Sequence, residues 1–99
     1  MALKSKKLSS TDVTKKLLQI SEWTVNAKCT ELSKSFEVSS FVSGLALVAR
    51  IAVHAEVMGH HPVVELSYHK IKVKLTTHDV KGLTRSDFDL AKKIDICCH

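Results

Sequence analysis

Aromatic residues are scarce in this chain, with one Trp, one Tyr and three Phe among 99 residues. A surface that stacks nucleobases needs several exposed rings beside cations, and so few rings leave little for one. Arginine is scarcer still: Arg50 and Arg85 are the only two, although lysine carries the formal net charge to +5. Cysteine is limited to Cys29, Cys97 and Cys98. An odd number, two of them adjacent, is no disulfide framework, so reduced thiols and a cytosolic compartment are the expectation. Cys97-Cys98-His99 has the wrong spacing for a zinc site. The longest apolar stretch, Leu45 to Val57, is interrupted by Arg50, His54 and Glu56 and is too short to cross a bilayer. The first seven residues carry charge with no apolar run behind them, unlike a secretory signal.

What remains is the composition of an ordinary soluble globule, 44% hydrophobic and 25% charged. A chain of this length makes one domain with one core. Residues 1–7 read as a flexible basic tail and residues 8–99 as the folded domain. Lys70, Lys72 and Lys74 alternate along one run, and Lys15 and Lys16 sit on the first helix. These lysines read as a solvated face rather than a phosphate-binding surface, because no nucleic-acid motif accompanies them.

The pattern of apolar residues predicts seven elements. Ser9-x-x-Asp12 is a capping-box variant, with Leu8 and Val13 placed as a hydrophobic staple. Val13, Leu17 and Ile20 continue one helical face to an end near Ser21. Trp23, Val25 and Ala27 alternate with polar neighbours as a strand does, and so do Leu32, Phe36 and Val38. The two runs can pair as a hairpin around Cys29-Thr30. Ser39 or Ser40 can cap a long helix over Phe41 to Met58. It bears two stripes: Phe41, Leu45, Val48, Ala52 and Ala55, and then Val42, Ala46, Ala49 and Val53. One side is expected to pack on the sheet. The other is a candidate subunit contact or a wider core face. Gly59 stops the helix and Pro62 prevents its restart. Val64, Leu66 and Tyr68 form a third strand, and Ile71, Val73 and Leu75 a fourth. Thr84-x-x-Asp87, with Leu83 and Phe88 as its staple, opens a last helix running to about Cys97. The order is αββαββα. The expected fold class is α+β, a single domain with a four-stranded antiparallel sheet and helices packed on one face.

Three of the six histidines, His60, His61 and His78, fall within nineteen residues of one another. A hairpin between them can return His78 toward the His-His pair. Imidazole is the side chain best suited to moving protons near neutral pH, so this placement can build an acid/base site. Each residue also has a plain structural reading. A lone histidine at a helix end is usually a cap or a surface group. Asp87 is accounted for as a capping-box acid, and Tyr68 as a core aromatic on a strand. His54 and His69 read as surface or interface residues.

The run Ala55-Glu56, His60-His61-Pro62, Tyr68, His78 and Asp87 resembles the pterin-4a-carbinolamine dehydratases. Gly82-Leu83-Thr84, Leu90-Ala91, Trp23, Phe36 and Phe41 fit the same pattern, and the likeness extends from about Leu8 to Ile96. It implies an enzyme that dehydrates 4a-hydroxytetrahydropterin to quinonoid dihydropterin, as in tetrahydrobiopterin recycling, with no metal or organic cofactor. His60 and His78 would be the acids, and His61 would bind substrate and assist as base. Glu56, Pro62, Thr77 and Asp87 would complete the substrate site. The likeness also implies a homodimer or homotetramer in the cytoplasm, with nuclear entry left open, and a link to a hydroxylase pathway or a transcription-factor partner. Neither nucleic acid nor membrane is an expected direct partner.

The chain departs from the family at three places. Val64 stands where an aromatic is common, Val57 where a lysine is, and Gly59 where an acid precedes the His pair. These changes bear on substrate affinity and on the partner of His60 more than on reaction class. The alternative function is a protein-interaction module, a transcription-factor dimerisation cofactor acting through the apolar second helix. A basic RNA-binding domain is a weaker third reading, since the sheet lacks the required aromatics.

Overall fold

The computed structural model describes residues 6–98. The tail over residues 1–7 thus lies outside the described residues except for Lys6 and Lys7, and His99 lies outside them too. The first helix, α1 (Ser10–Leu17), is capped by the Ser9 hydroxyl, which accepts the Asp12 amide at 3.1 Å. It stops short of Ser21. The amides of Leu18, Gln19 and Ile20 bond back three residues, the tightening typical of a last turn, and Glu22 then turns the chain at φ 68. The following strand is shorter than its alternation predicts. Only Thr24–Val25 pair as β1, because the Asn26 side-chain carbonyl accepts the Thr30 and Glu31 amides at 2.7 and 3.0 Å and pulls the chain into a turn.

Strand β2 (Leu32–Glu37), helix α2 (Phe41–Met58), strands β3 (Val63–Ser67) and β4 (Lys70–Leu75), and helix α3 (Arg85–Cys97) complete the expected order. The sheet runs β1-β2-β4-β3 with every neighbouring pair antiparallel. Leu32 and Phe36 of β2 and Ile71, Val73 and Leu75 of β4 are buried on one face. Phe88, Leu90, Ala91 and Ile94 of α3 complete that core. On the other face Lys72 stands opposite Glu65, and Lys70 opposite Glu37.

One residue departs from its expected setting. Tyr68 is not a core aromatic. It sits at the tip of the β3–β4 hairpin, 73% exposed, with its ring on His69 at 3.9 Å between centroids. Lys34, by contrast, points inward. Its ammonium donates to Asp95 at 2.8 Å and lies 4.8 Å from the Phe36 ring centre, a cation–π contact that offsets its desolvation. Asp95 also accepts from the Trp23 indole at 2.9 Å, so one carboxylate ties α3 to the sheet and to the segment after α1.

Helix α2 takes its cap from Ser40, whose hydroxyl accepts the Ser43 amide at 3.1 Å. Gly44, Ile51 and Ala55 are its buried positions. A Cβ at Gly44 would meet Leu66 at 2.6 Å, so glycine lets the helix close on β3 there. The stripe from Phe41 to Ala55 is therefore split. Val48 and Ala55 turn in, while Phe41 and Leu45 stay half exposed. Val42, Val53 and Val57 are more open still, at 75, 62 and 81%. By length and composition α2 also suits a membrane span, yet its inner face is integrated into the core.

Candidate active site

Gly59 ends α2 in the left-handed conformation, φ 62, with its amide bonded to the Glu56 carbonyl. This is the αL stop for which glycine carries no Cβ penalty. The His60 amide then returns to the Ala55 carbonyl at 3.0 Å. The His pair is thus held at the end of a rigid helix, and Pro62 leads directly into β3. His78 arrives from the opposite direction. Beyond β4, the Thr77 amide bonds the Gly82 carbonyl at 2.8 Å. The closed loop between them carries a single 3-10 turn, His78–Val80. Thr76 anchors its base by donating to the Thr30 carbonyl at 2.6 Å.

These two loops face each other across a cleft of about 200 Å³ lined by Gly59, His60, His61, Thr76, Thr77, His78 and Asp79. Of the residues singled out in the sequence, His60, His61, His78 and Thr77 meet here. Glu56 and Pro62 do not line this cleft. They border an apolar groove of about 170 Å³ between α2 and β3, walled by Val48, Ile51, Ala52, Ala55 and Val64. His61 lines both cavities. Glu56 still reaches the site through that ring, with its carboxylate 2.5 Å from His61 Nε2.

Asp87 lies beneath the cleft with no exposed surface. Its Oδ1 is 2.5 Å from His60 Nε2, so His60 has a carboxylate partner although Gly59 supplies none beside it. Oδ2 accepts the Thr77 hydroxyl at 2.7 Å and the Thr84 amide at 2.9 Å. The capping-box acid of α3 therefore serves a second group, across the fold. The His78 ring has no hydrogen bond among the described residues and is exposed.

Three lining or supporting groups escaped the sequence reading. Thr76 and Asp79 flank a motif already in view, and their adjacency to Thr77 and His78 was the available signal. Thr84 stands in the sequence as a helix cap and as part of the Gly82-Leu83-Thr84 run, with no role beside the cleft attached to it. Away from the cleft, burial pushes the Cys98 thiol up to about 12, with Cys97 and Asp95 adding to the effect. That thiol is not among the residues lining the cleft.

Two histidine–carboxylate pairs and a third histidine lie together at the junction of a helix stop and a strand end, a set of groups suited to acid/base chemistry on an α+β scaffold. Residues 6–97 match the family described as pterin 4 alpha carbinolamine dehydratase, and the chain belongs to that family. A protein of Roseiflexus sp. (strain RS-1), provisionally named a pterin-4-alpha-carbinolamine dehydratase, is 40% identical over 89 residues, covering 90% of this chain and 94% of the relative. Among solved structures, a transcriptional coactivator/pterin dehydratase from Brucella melitensis superposes with a TM-score of 0.90 at 24% identity, covering 95% of this chain and 100% of that one. A pterin dehydratase-like protein described as a RuBisCO assembly factor in the alpha-carboxysome gives a TM-score of 0.66 at 19% identity, over 78% of this chain and 89% of that one. At these identities the two structures speak for the fold alone.

Proposed function

We propose that the chain is a hydro-lyase that converts 4a-hydroxytetrahydropterin to quinonoid dihydropterin by histidine acid/base catalysis. The observation that carries this reading is the convergence of His60, His61 and His78 on one cleft. Hydroxide is a poor leaving group. A proton given to the 4a-hydroxyl lets the C4a–O bond break with loss of water. The N5 lone pair forms the C4a=N5 bond, and a base removes the proton on N5. No electrons are gained or lost. His60 and His78 act as acids from the two sides of the cleft. His61 binds the pterin and assists as base, oriented by Glu56. Thr77 offers a polar contact on the cleft wall, Pro62 fixes the His pair relative to β3, and Asp87 acts from below through His60. The setting is the cytoplasm, in recycling of the pterin cofactor of a hydroxylase.

The test is the rate of dehydration of 4a-hydroxytetrahydropterin, followed by ultraviolet absorbance. The native chain accelerates it. His60→Ala, His61→Ala and His78→Ala, each checked for folding, lose about 100-fold or more, the usual contribution of a positioned acid or base. A folded native chain that gives no acceleration sinks the reading.

The outer face of α2 favours a second role. Phe41, Val42, Leu45, Val53 and Val57 are all at least half exposed, and a contiguous apolar face of this kind marks an interaction surface. It serves first as the contact of a homodimer or homotetramer. A partner protein on the same face, as for a transcription-factor cofactor, is the alternative function. Val53→Lys and Val57→Lys would lower the mass seen by sedimentation if copies of the chain meet there. An unchanged mass would leave that face to another protein.

A further inference from the structure

We infer that Thr84 is a positioning residue which, through Thr77 and Asp87, holds the His60 proton on Nε2 and so makes Nδ1 the nitrogen that exchanges a proton with substrate. The inference rests on the dehydratase reading of the cleft and deepens it to a single atom.

The directions of the hydrogen bonds carry it. Asp87 is fully buried and sits in the first turn of α3, where the backbone dipole favours a negative side chain. A carboxylate only accepts, and Asp87 meets three donors. The Thr84 amide and the Thr77 hydroxyl converge on Oδ2, at 2.9 and 2.7 Å. His60 Nε2 is then the donor to Oδ1. Because the Thr77 hydroxyl spends its proton on Asp87, its oxygen is free to accept. Thr84 Oγ1 lies 2.9 Å away as the donor. The order of donation is therefore Thr84 to Thr77 to Asp87, with His60 donating to Asp87 from the other side. Thr84 has no exposed surface, so water cannot replace its hydroxyl and it cannot touch substrate.

With Nε2–H committed to Asp87, the ring acts through Nδ1. As an acid, His60 passes the Nδ1 proton to the departing hydroxyl and is left as the neutral Nε2–H form, still bonded to Asp87. The carboxylate turns no further and the ring keeps its orientation. Dependence on tautomer and orientation of this kind is large in other histidine–carboxylate pairs.

Two measurements test the inference. In the native chain without substrate, nitrogen-15 NMR should show a slowly exchanging proton on His60 Nε2 and an unprotonated Nδ1 in the neutral ring. A neutral ring with its proton on Nδ1 overturns the inference, whatever the chain's activity. In turnover, Thr84→Val should lower kcat by about 10-fold or more with KM within about twofold, the scale seen for outer partners of ligating histidines. Thr84→Ser should restore it. A merely structural role would lower thermal stability and leave kcat and the Nε2 proton unchanged in the folded fraction, and that result also overturns the inference. If Thr84→Val does not fold, Thr84→Ala is read by the same kcat, KM and Nε2-proton measurements, and an unchanged kcat and Nε2 proton in that variant overturns the role of Thr84. Absence of dehydratase activity in the native chain would be a failure of the parent reading, visible separately from the tautomer.

Discussion

The two histidine–carboxylate pairs have the same separation, 2.5 Å, and opposite surroundings. His60 and Asp87 have side chains 14 and 0% exposed, whereas His61 and Glu56 are 63 and 74% exposed. Distance alone would rank them equal. Solvent does not. Water competes for each group of the outer pair and screens it, so such contacts contribute at most about 1 kcal/mol. In the inner pair the carboxylate has no exposed surface and cannot turn to water instead, so removing it leaves its donors unsatisfied. The inner pair is thus part of the fold as well as of the site. The outer pair is free to serve the site alone.

The strongest way to break this comparison is Asp87→Ala. It removes the acceptor of three donors in a closed space and the charged half of the α3 cap. The expected loss is about 3 to 5 kcal/mol, which for a domain of this size lowers the unfolding midpoint by more than about 10 °C. Circular dichroism on heating reads it directly. A fall of only a few degrees would mean that the buried carboxylate is replaceable by water and that the two pairs differ less than their burial implies.

His60→Ala removes the other half of the same pair and should cost less, about 1 to 3 kcal/mol. Asp87 then keeps its Thr77 and Thr84 donors, and the cleft admits water to the freed Oδ1. The ratio of the two losses sharpens the comparison. If His60→Ala were the more destabilising, the imidazole rather than the carboxylate would be the hub of the network.

The inner pair was also the less legible one. Thr84-x-x-Asp87 is fully explained as a helix start, and α3 does begin at Arg85, so nothing local asked for a further partner. The partner is 27 residues away in the chain, beyond the reach of any periodicity. The outer pair spans a helix end, where Glu56 and His61 are near neighbours in sequence. Elements with strong local chemistry were readable: the Gly59 stop and a serine cap on α2, narrowed to Ser39 or Ser40, have local causes, and the alternation of β4 lies within its own six residues. Tyr68 differs from its expected place because Ser67-Tyr68-His69-Lys70 turns without glycine or proline, which leaves the alternation of β3 unbroken in sequence. The two stripes of α2 were equally apolar. Only tertiary contact, through the Gly44 approach to Leu66, decides which face turns in.

The smallest expected effect on stability, and the most informative about function, is that of Glu56→Ala. Glu56 sits in the last turn of α2, where the backbone dipole disfavours an acid. Its contact with His61 is open to solvent and salt. The net change in stability is therefore expected to stay below about 1 kcal/mol, and raising the salt concentration should shrink it further. Catalysis has a different dependence, because the side chain need only bias which way the exposed His61 ring points. The dehydration rate should fall, with the unfolding midpoint nearly unchanged. A variant as unstable as Asp87→Ala would show that the outer pair is structural after all. One with native rate and native stability would remove Glu56 from the site, leaving His61 to be oriented by the short Gly59–Pro62 connection on which it sits.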